Sequence, residues 1–395
     1  MSAPPLSAIG EQVDPVSSWT PERDDPDGVF TYVDLSAVDQ DAKIVSGARE
    51  LACAEAPSRA RQLIRAGDVL VSTVRPNLNG VALVPPELDG ATASTGFCVL
   101  RPRARQLDAR YLYQWVKSPR FVSDMVRKAT GASYPAVSDR IVCESKLPLP
   151  PLPEQRRIAD ILDKADALRA KRRTALAQLD TLTQSIFLDM FGDPATNPKG
   201  WPNIALGDAL IAIRNGTNAE QQEDPAGWPI TRIETIAAGT INPDRVRWVS
   251  ADPSLVENFQ LAPGDILFSH INSVDHIAKT ALYSGTPTRL IHGINLLRLR
   301  PRLECVEPVW LLHLLKHEAV RTHFRTRCKR AVNQASLNQT DIKSLSTYLP
   351  PLSLQRAFAN RITAVDNLKL VQSGSLTAHE CLFATLQHRA FQGEL

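Results

Sequence analysis

Ile161, Ala165, Leu168, Ala175, Leu179, Leu182 and Ile186 follow one another at alternating steps of three and four residues, with Arg172 in the one missing place. That rhythm predicts the seam of a coiled coil. Pro148, Pro150, Pro151 and Pro153 hold the backbone before it extended, which sets the expected helix start at Gln155. Neither Pro nor Gly follows until Gly192, and strong helix formers fill much of the run. A helix over 155–191 would be about 55 Å long, too long for one ordinary domain to cover. It requires a partner helix.

Shorter patterns flank it. A first element is expected at 6–13, and Arg65-Ala66-Gly67-Asp68 reads as a turn feeding a strand. Further strands are expected at 81–84 and 96–100. Tyr111, Leu112, Trp115, Val116, Phe121 and Met125 give 108–127 helical spacing. A loop over 131–138 and a short strand over 145–149 then return the chain to the long helix. Past Gly192 and Asn197-Pro198-Lys199-Gly200 the pattern restarts.

Sliding the sequence by 200 residues shows how far that restart goes. Pro350, Pro351, Leu352, Gln355, Arg356, Ala359, Asp366, Leu368, Leu376, Leu382 and Phe391 all land on identical residues. These are 11 identities in the 44 positions of 150–193 against 350–393, where average usage gives about three by chance. Residues 204–211 mirror 6–13, Gly264-Asp265 mirrors Gly67-Asp68, Leu299-Arg300-Pro301 mirrors Leu100-Arg101-Pro102, 310–316 mirrors 111–117, and 331–338 mirrors 131–138. Segments 31–64 and 214–258 show no likeness to each other. A period this long is no solenoid. It is one module-plus-helix unit copied once, with a shared scaffold and a variable insert. The expected division is a module at 1–148, a central helix at 149–193, a module at 194–349 and a distal helix at 350–395.

The distal helix departs from its copy. Gly374-Ser375 lies in mid-helix, a weakness of about 1 kcal/mol, so a kink is expected near Gly374. His379 stands where the first copy has Leu179. Arg172 and Gln372 occupy equivalent seam positions, as a register-setting polar pair or as a surface excursion.

Composition changes this picture little. The 395 residues, 43% hydrophobic and 22% charged, suit two or three domains with sizeable cores. No signal-peptide pattern and no apolar run of membrane-spanning length is present, so a cytoplasmic protein is expected. Six scattered cysteines without CxxC spacing read as reduced thiols, neither a disulfide framework nor a zinc site.

The net charge of +3 matters less than where cations cluster. In the second module Lys316, Arg321, Arg325, Arg327, Lys329 and Arg330 run among His317, His323 and Phe324, with Glu318 the one acid, and lead into Asn333, Gln334 and Asn338. In the first, Lys117, Arg120, Arg127 and Lys128 lead into Ser133 and Tyr134. Clustered cations neutralise phosphates, and Asn, Gln and Arg can pair with base edges. Taken alone, the run at 117–128 reads as a solvated helix face. The same placement in two copies favours a DNA-facing edge. Lys171-Arg172-Arg173 reads as a solvated face, with phosphate contact as the alternative.

No catalytic constellation accompanies these residues. The chain lacks a GxxxxGK phosphate loop, an Asn-Pro-Pro-Tyr motif and a glycine-rich strand–helix turn. Asp160 and Asp163 have no completing metal ligands, and Lys164 predicts a surface ion pair with Asp160. Recognition without catalysis is the expectation.

Leu149-Pro150-Pro151-Leu152-Pro153-Glu154-Gln155-Arg156-Arg157-Ile158-Ala159 leads into the central helix and Leu188-Asp189-Met190-Phe191-Gly192-Asp193 leaves it. With the closing Leu386-Gln387-His388-Arg389-Ala390-Phe391-Gln392-Gly393-Glu394-Leu395, these stretches resemble the specificity subunit of type I restriction–modification enzymes, over essentially the whole chain. The resemblance implies an α/β fold of two similar target-recognition domains separated by two long antiparallel helices. Each domain would read one half of a split DNA site, with the helices as spacer. It further implies two methyltransferase subunits docked on those helices, and through them restriction translocase subunits. Gln155, Arg156, Ile161, Leu168, Leu179, Leu182, Ile186 and Phe191, with Gln355, Arg356, Leu368, Leu382, Leu386 and Phe391, are the residues assigned to that docking. S-adenosylmethionine would belong to the methyltransferase, and ATP and Mg to the restriction subunit; this chain would hold no cofactor and no metal. Two other classes stay open: a coiled-coil protein scaffold without base readout, and a stand-alone DNA-modifying enzyme with unusual motifs.

Overall fold

In a computed structural model of the chain, which describes residues 4–225, 227–250, 253–331 and 334–395, the long helices run Leu152–Phe191 and Leu352–Gln392. The first begins before Gln155, because Pro153 sits in the opening turn, where a helix has no use for the missing N–H. Gly374 does not break the second, which is continuous through it. Two compact units result, Met1–Ala175 with Gln372–Leu395, and Leu176–Val371. The division therefore cuts through both helices instead of setting them apart from the modules. No helix among the described residues is long and apolar enough to cross a membrane.

In the first unit, Leu6–Ala8 pairs antiparallel with Lys146–Pro148, tying the chain start to the approach of the long helix. An antiparallel sheet follows in the order Val13–Asp14, Phe97–Pro102, Val69–Ser72, Val81–Leu83. The insert builds a second sheet, Arg49–Ala52, Val29–Val33, Thr92–Ser94, Ala60–Leu63, with one parallel pairing. The expected single helix over 108–127 is two, Ala109–Val116 and Pro119–Lys128. Pro119 ends the first, and the Ser118 hydroxyl caps the second by accepting from Phe121 N.

The second unit repeats this frame. Asn203–Ala205 pairs with Ser346–Tyr348, and the sheet order is Leu210–Asn215, Leu296–Pro301, Ile266–Ser269, Thr280–Leu282. Helices Pro308–Lys316 and Glu318–Arg327 follow. Its insert differs, being a Trp228–Thr231/Val246–Val249 hairpin in place of the four-stranded sheet. The loop expected at 331–338 is instead part of a ribbon, Lys329–Ala331 against Gln334–Ser336, joined by Ile271–Asn272.

Both frames turn on the same buried pair. Gly67 (φ 87°) and Gly264 (φ 97°) take the left-handed conformation that lets each turn close. The carboxylates that follow, Asp68 and Asp265, are each 1% exposed. Asp68 accepts from Arg65 N at 2.8 Å and from the Arg101 guanidinium at 2.9 and 2.7 Å. Asp265 does the same with Ala262 N at 2.8 Å and Arg300 at 2.7 Å.

The helix stripe that faces the fold departs from the expected seam. It is Ile158, Leu162, Ala165, Arg169 and Arg172 in the first unit, and Leu176, Leu179, Thr183, Phe187 and Met190 in the second. Ala165, Arg172 and Leu179 stand where the rhythm puts them, but Leu168 and Leu182 are 45% and 43% exposed. Their places are taken one residue later by side chains with polar partners. Arg169 lies 4.0 Å over the Phe383 ring and pairs with Asp166 at 3.1 Å. Thr183 bonds back to Leu179 O and accepts from Lys369 Nζ at 3.3 Å. Within the first unit, Arg172 donates to Gln372 Oε1 at 2.7 Å and Arg173 pairs with Glu380 at 2.8 Å. The polar seam pair is therefore made, and Arg173 has an acid partner. Asp160 pairs with Arg110 at 2.7 Å, not with Lys164, and so fastens Ala109–Val116 to the long helix.

Candidate nucleic-acid interface

Phe324 and Val320 are buried, Phe324 edge-on to Phe268 at 5.3 Å, and this anchors Glu318–Arg327 by one face. The other face carries the arginines. Glu318 is shared between Arg325 at 2.7 Å and Arg321 at 3.8 Å, while Arg327 lies against His323. After Cys328 the chain enters the ribbon, where Lys329, Arg330 and Gln334 are exposed. Lys329 and Arg330 have no acid within 4.0 Å among the described residues. Asn338 is occupied as a helix cap, accepting from Asp341 N at 2.8 Å. Asn333 lies outside the described residues. Lys316 is not on the ribbon face, since it turns toward Gly239 and donates to its O at 2.9 Å, and burial pushes its pKa down.

The first unit places its candidates more sparsely. Arg127 and Lys128 both pair with Asp124, and the Arg120 guanidinium lies 5.9 Å from the Trp115 ring. Ser133 and Tyr134 are exposed at the loop tip. Lys117 is withdrawn from solvent, because its ammonium meets Asp166 and lies 4.6 Å over Tyr113 and 5.7 Å from Phe383. Burial lowers its pKa against the opposing pull of Asp166. It is a strut between module and helix.

Arg75 was not among the sequence candidates. Its guanidinium lies 4.8 Å over the Tyr134 ring, and its backbone N–H donates to Pro135 O at 2.7 Å. Its backbone is left-handed, with φ 51°. The run Arg75-Pro76-Asn77-Leu78-Asn79-Gly80 marks a turn in sequence, but nothing in it points to a residue 59 positions on.

The docking assignments divide as well. Gln155 is 1% and Gln355 0% exposed, and each joins its module to its helix. Gln155 donates to Gln106 O and Pro150 O and accepts from Asp108 N at 2.9 Å. Gln355 donates to Cys305 O and Pro350 O and accepts from Glu307 N at 2.8 Å. Phe391 packs on Tyr111 and Trp115, and Phe191 on Trp310 and Phe358. These four belong to the interior and offer nothing to a partner. Ile161, Leu179, Ile186 and Leu386 are half-buried, whereas Arg156, Leu168, Leu182, Arg356, Leu368 and Leu382 are exposed.

Comparison with known proteins gives this arrangement a context. The family model for the type I restriction modification DNA specificity domain matches residues 63–179 and 198–376. The putative type I restriction enzyme MjaX specificity subunit of Methanocaldococcus jannaschii is 46% identical over 172 residues, which are 43% of this chain and 40% of that relative's length. The type I restriction enzyme EcoKI specificity subunit of Escherichia coli is 24% identical over 321 residues, 76% of this chain and 68% of its own. A chain solved in work on complex assembly and conformational transition of the type I R-M system superposes with a TM-score of 0.63 at 28% identity, covering 100% of both chains.

Proposed function

This chain belongs to the family of type I restriction–modification DNA specificity subunits, and from that premise we propose that each of its modules reads one half of a split DNA site. The observation that carries the reading is the duplicated frame with unlike inserts: the same sheet, helix pair and Asp–Arg turn, but a four-stranded insert in one unit and a hairpin in the other. A shared frame binds the same polymer twice, and unlike inserts select different sequences. The ribbon with Lys329, Arg330 and Gln334 suits a major groove, which admits two strands. Arg75 with Tyr134 is the counterpart we assign in the first unit. Catalysis lies with partners: a methyltransferase subunit flips and methylates the adenine, and this chain chooses which. The exposed Leu168, Leu182, Leu368 and Leu382 are the contacts we assign to it, with restriction subunits joining through that complex.

The test is co-expression with the cognate methyltransferase, followed by mapping of N6-methyladenine across host DNA. Two short fixed blocks around a constant gap are expected. A continuous motif would limit readout to one module, and a complex without any methylation dependent on this chain would favour a protein scaffold.

A further inference from the structure

In the second unit, an open cavity of about 370 Å³ is lined by three cations, Lys279, Lys316 and Arg321, and by Thr280. Lys279 Nζ donates to Ala237 O at 2.8 Å and Lys316 Nζ to Gly239 O at 2.9 Å. A Cβ on Gly239 would meet that ammonium at 3.6 Å, an ordinary contact, so it is the left-handed φ of 76° and not the lysine that calls for glycine there. Among the described residues no carboxylate comes within 4.0 Å of either ammonium. Asp366 acts on Lys316 from farther off and is opposed by Lys369. Glu318, the acid nearest Arg321 at 3.8 Å, is taken up by Arg325 at 2.7 Å. The first unit treats the corresponding Lys117 differently, giving it the Asp166 carboxylate.

Two polar groups here also lack partners among the described residues. The Thr280 hydroxyl, on a residue 2% exposed, and the buried Arg321 Nε have none. A cation held away from water with only carbonyls around it is poorly compensated, and lysine and arginine together are a common solution for phosphate.

We propose that this cavity holds a phosphate group, with Lys279, Lys316 and Arg321 supplying charge and Thr280 a hydroxyl donor. The inference rests on the reading that the module engages DNA, and the phosphate is then a phosphodiester of the DNA backbone. Such a contact fixes the position of the module on the duplex and carries no sequence information.

The experiment uses the full complex with its methyltransferase. Duplex affinity is measured against KCl concentration for wild type, Lys279→Gln, Arg321→Gln and Lys279→Arg, on a target and on an unrelated duplex. Each Gln variant is expected to weaken both duplexes by the same factor. The slope of log K against log salt should flatten by about 0.9 per lost contact, with the methylated motif unchanged and Lys279→Arg close to wild type. Unaltered affinity and slope in both Gln variants would overturn the proposal. Melting of the complex in inorganic phosphate against chloride at equal ionic strength separates the sources. A phosphate-specific rise lost in Lys279→Gln, with the DNA slope intact, would mean free phosphate and overturn the DNA assignment. A wild-type complex that binds no split-site duplex would count against the proposed function, and the melting comparison would still decide the cavity.

Discussion

Asp68 and Asp265 are held by one arginine each, yet the two pairs differ in their access to water. Arg101 is 14% exposed and Arg300 35%. Removing Arg101 leaves a buried carboxylate unpaired, a loss that runs to about 3–5 kcal/mol. Arg300→Ala is expected to cost less, because water can reach the vacated side of Asp265. Peptide-resolved hydrogen exchange in each unit would measure both, and a loss under about 1 kcal/mol for Arg101→Ala would refute the assignment, since that is the scale of a surface pair. Half of this pair is legible in sequence: Gly67-Asp68 announces a turn. The other half is not, because Arg101 is brought in by the register that sets Leu100 opposite Val69. The same limit hid Arg75 and mistook Lys117 for a phosphate contact, since burial of a lysine against an aspartate 49 residues away leaves no local trace.

At the scale of elements the hydrophobic rhythm located the first long helix and the 200-residue repeat the second, but only Ala165, Arg172 and Leu179 of the expected seam lie on the inward face. Periodicity alone counts Leu168 and Leu182 as core and Arg169 and Thr183 as surface, whereas a ring under Arg169 and a lysine beside Thr183 reverse the choice. The leucines left outside, with Leu368 and Leu382, are exposed at equivalent places in both copies. If they meet the methyltransferase, changing all four to Ser should leave the unfolding free energy within about 0.5 kcal/mol per site. Recovery of the methyltransferase with a tagged copy of this chain should fall steeply. Undiminished co-purification would move the docking surface elsewhere on the chain. The duplicated glutamines teach the converse lesson. Gln155 and Gln355 are identical in both copies because they join helix to module, so recurrence by itself does not mark a partner surface.

For the whole molecule, the spacer role of the helices can be tested by their length. The unit boundaries fall after Ala175 and Val371, so four residues inserted at each point leave both modules intact. Each helix grows by about 6 Å, close to two base pairs at about 3.4 Å each. Four residues turn a helix by about 400°, so the stripe shifts by about 40°, which a coil absorbs as a stutter. If the helices set the gap, the methylated motif of the variant should keep both fixed blocks and gain two unspecified positions between them. The added base pairs also rotate one half-site against the other by about 70°. Methylation of the longer site should therefore be slower than that of the original site by wild type, because one module must swivel to reach its block. Efficient methylation at the original gap would show that the helices do not act as the ruler, and that partner subunits hold the spacing instead.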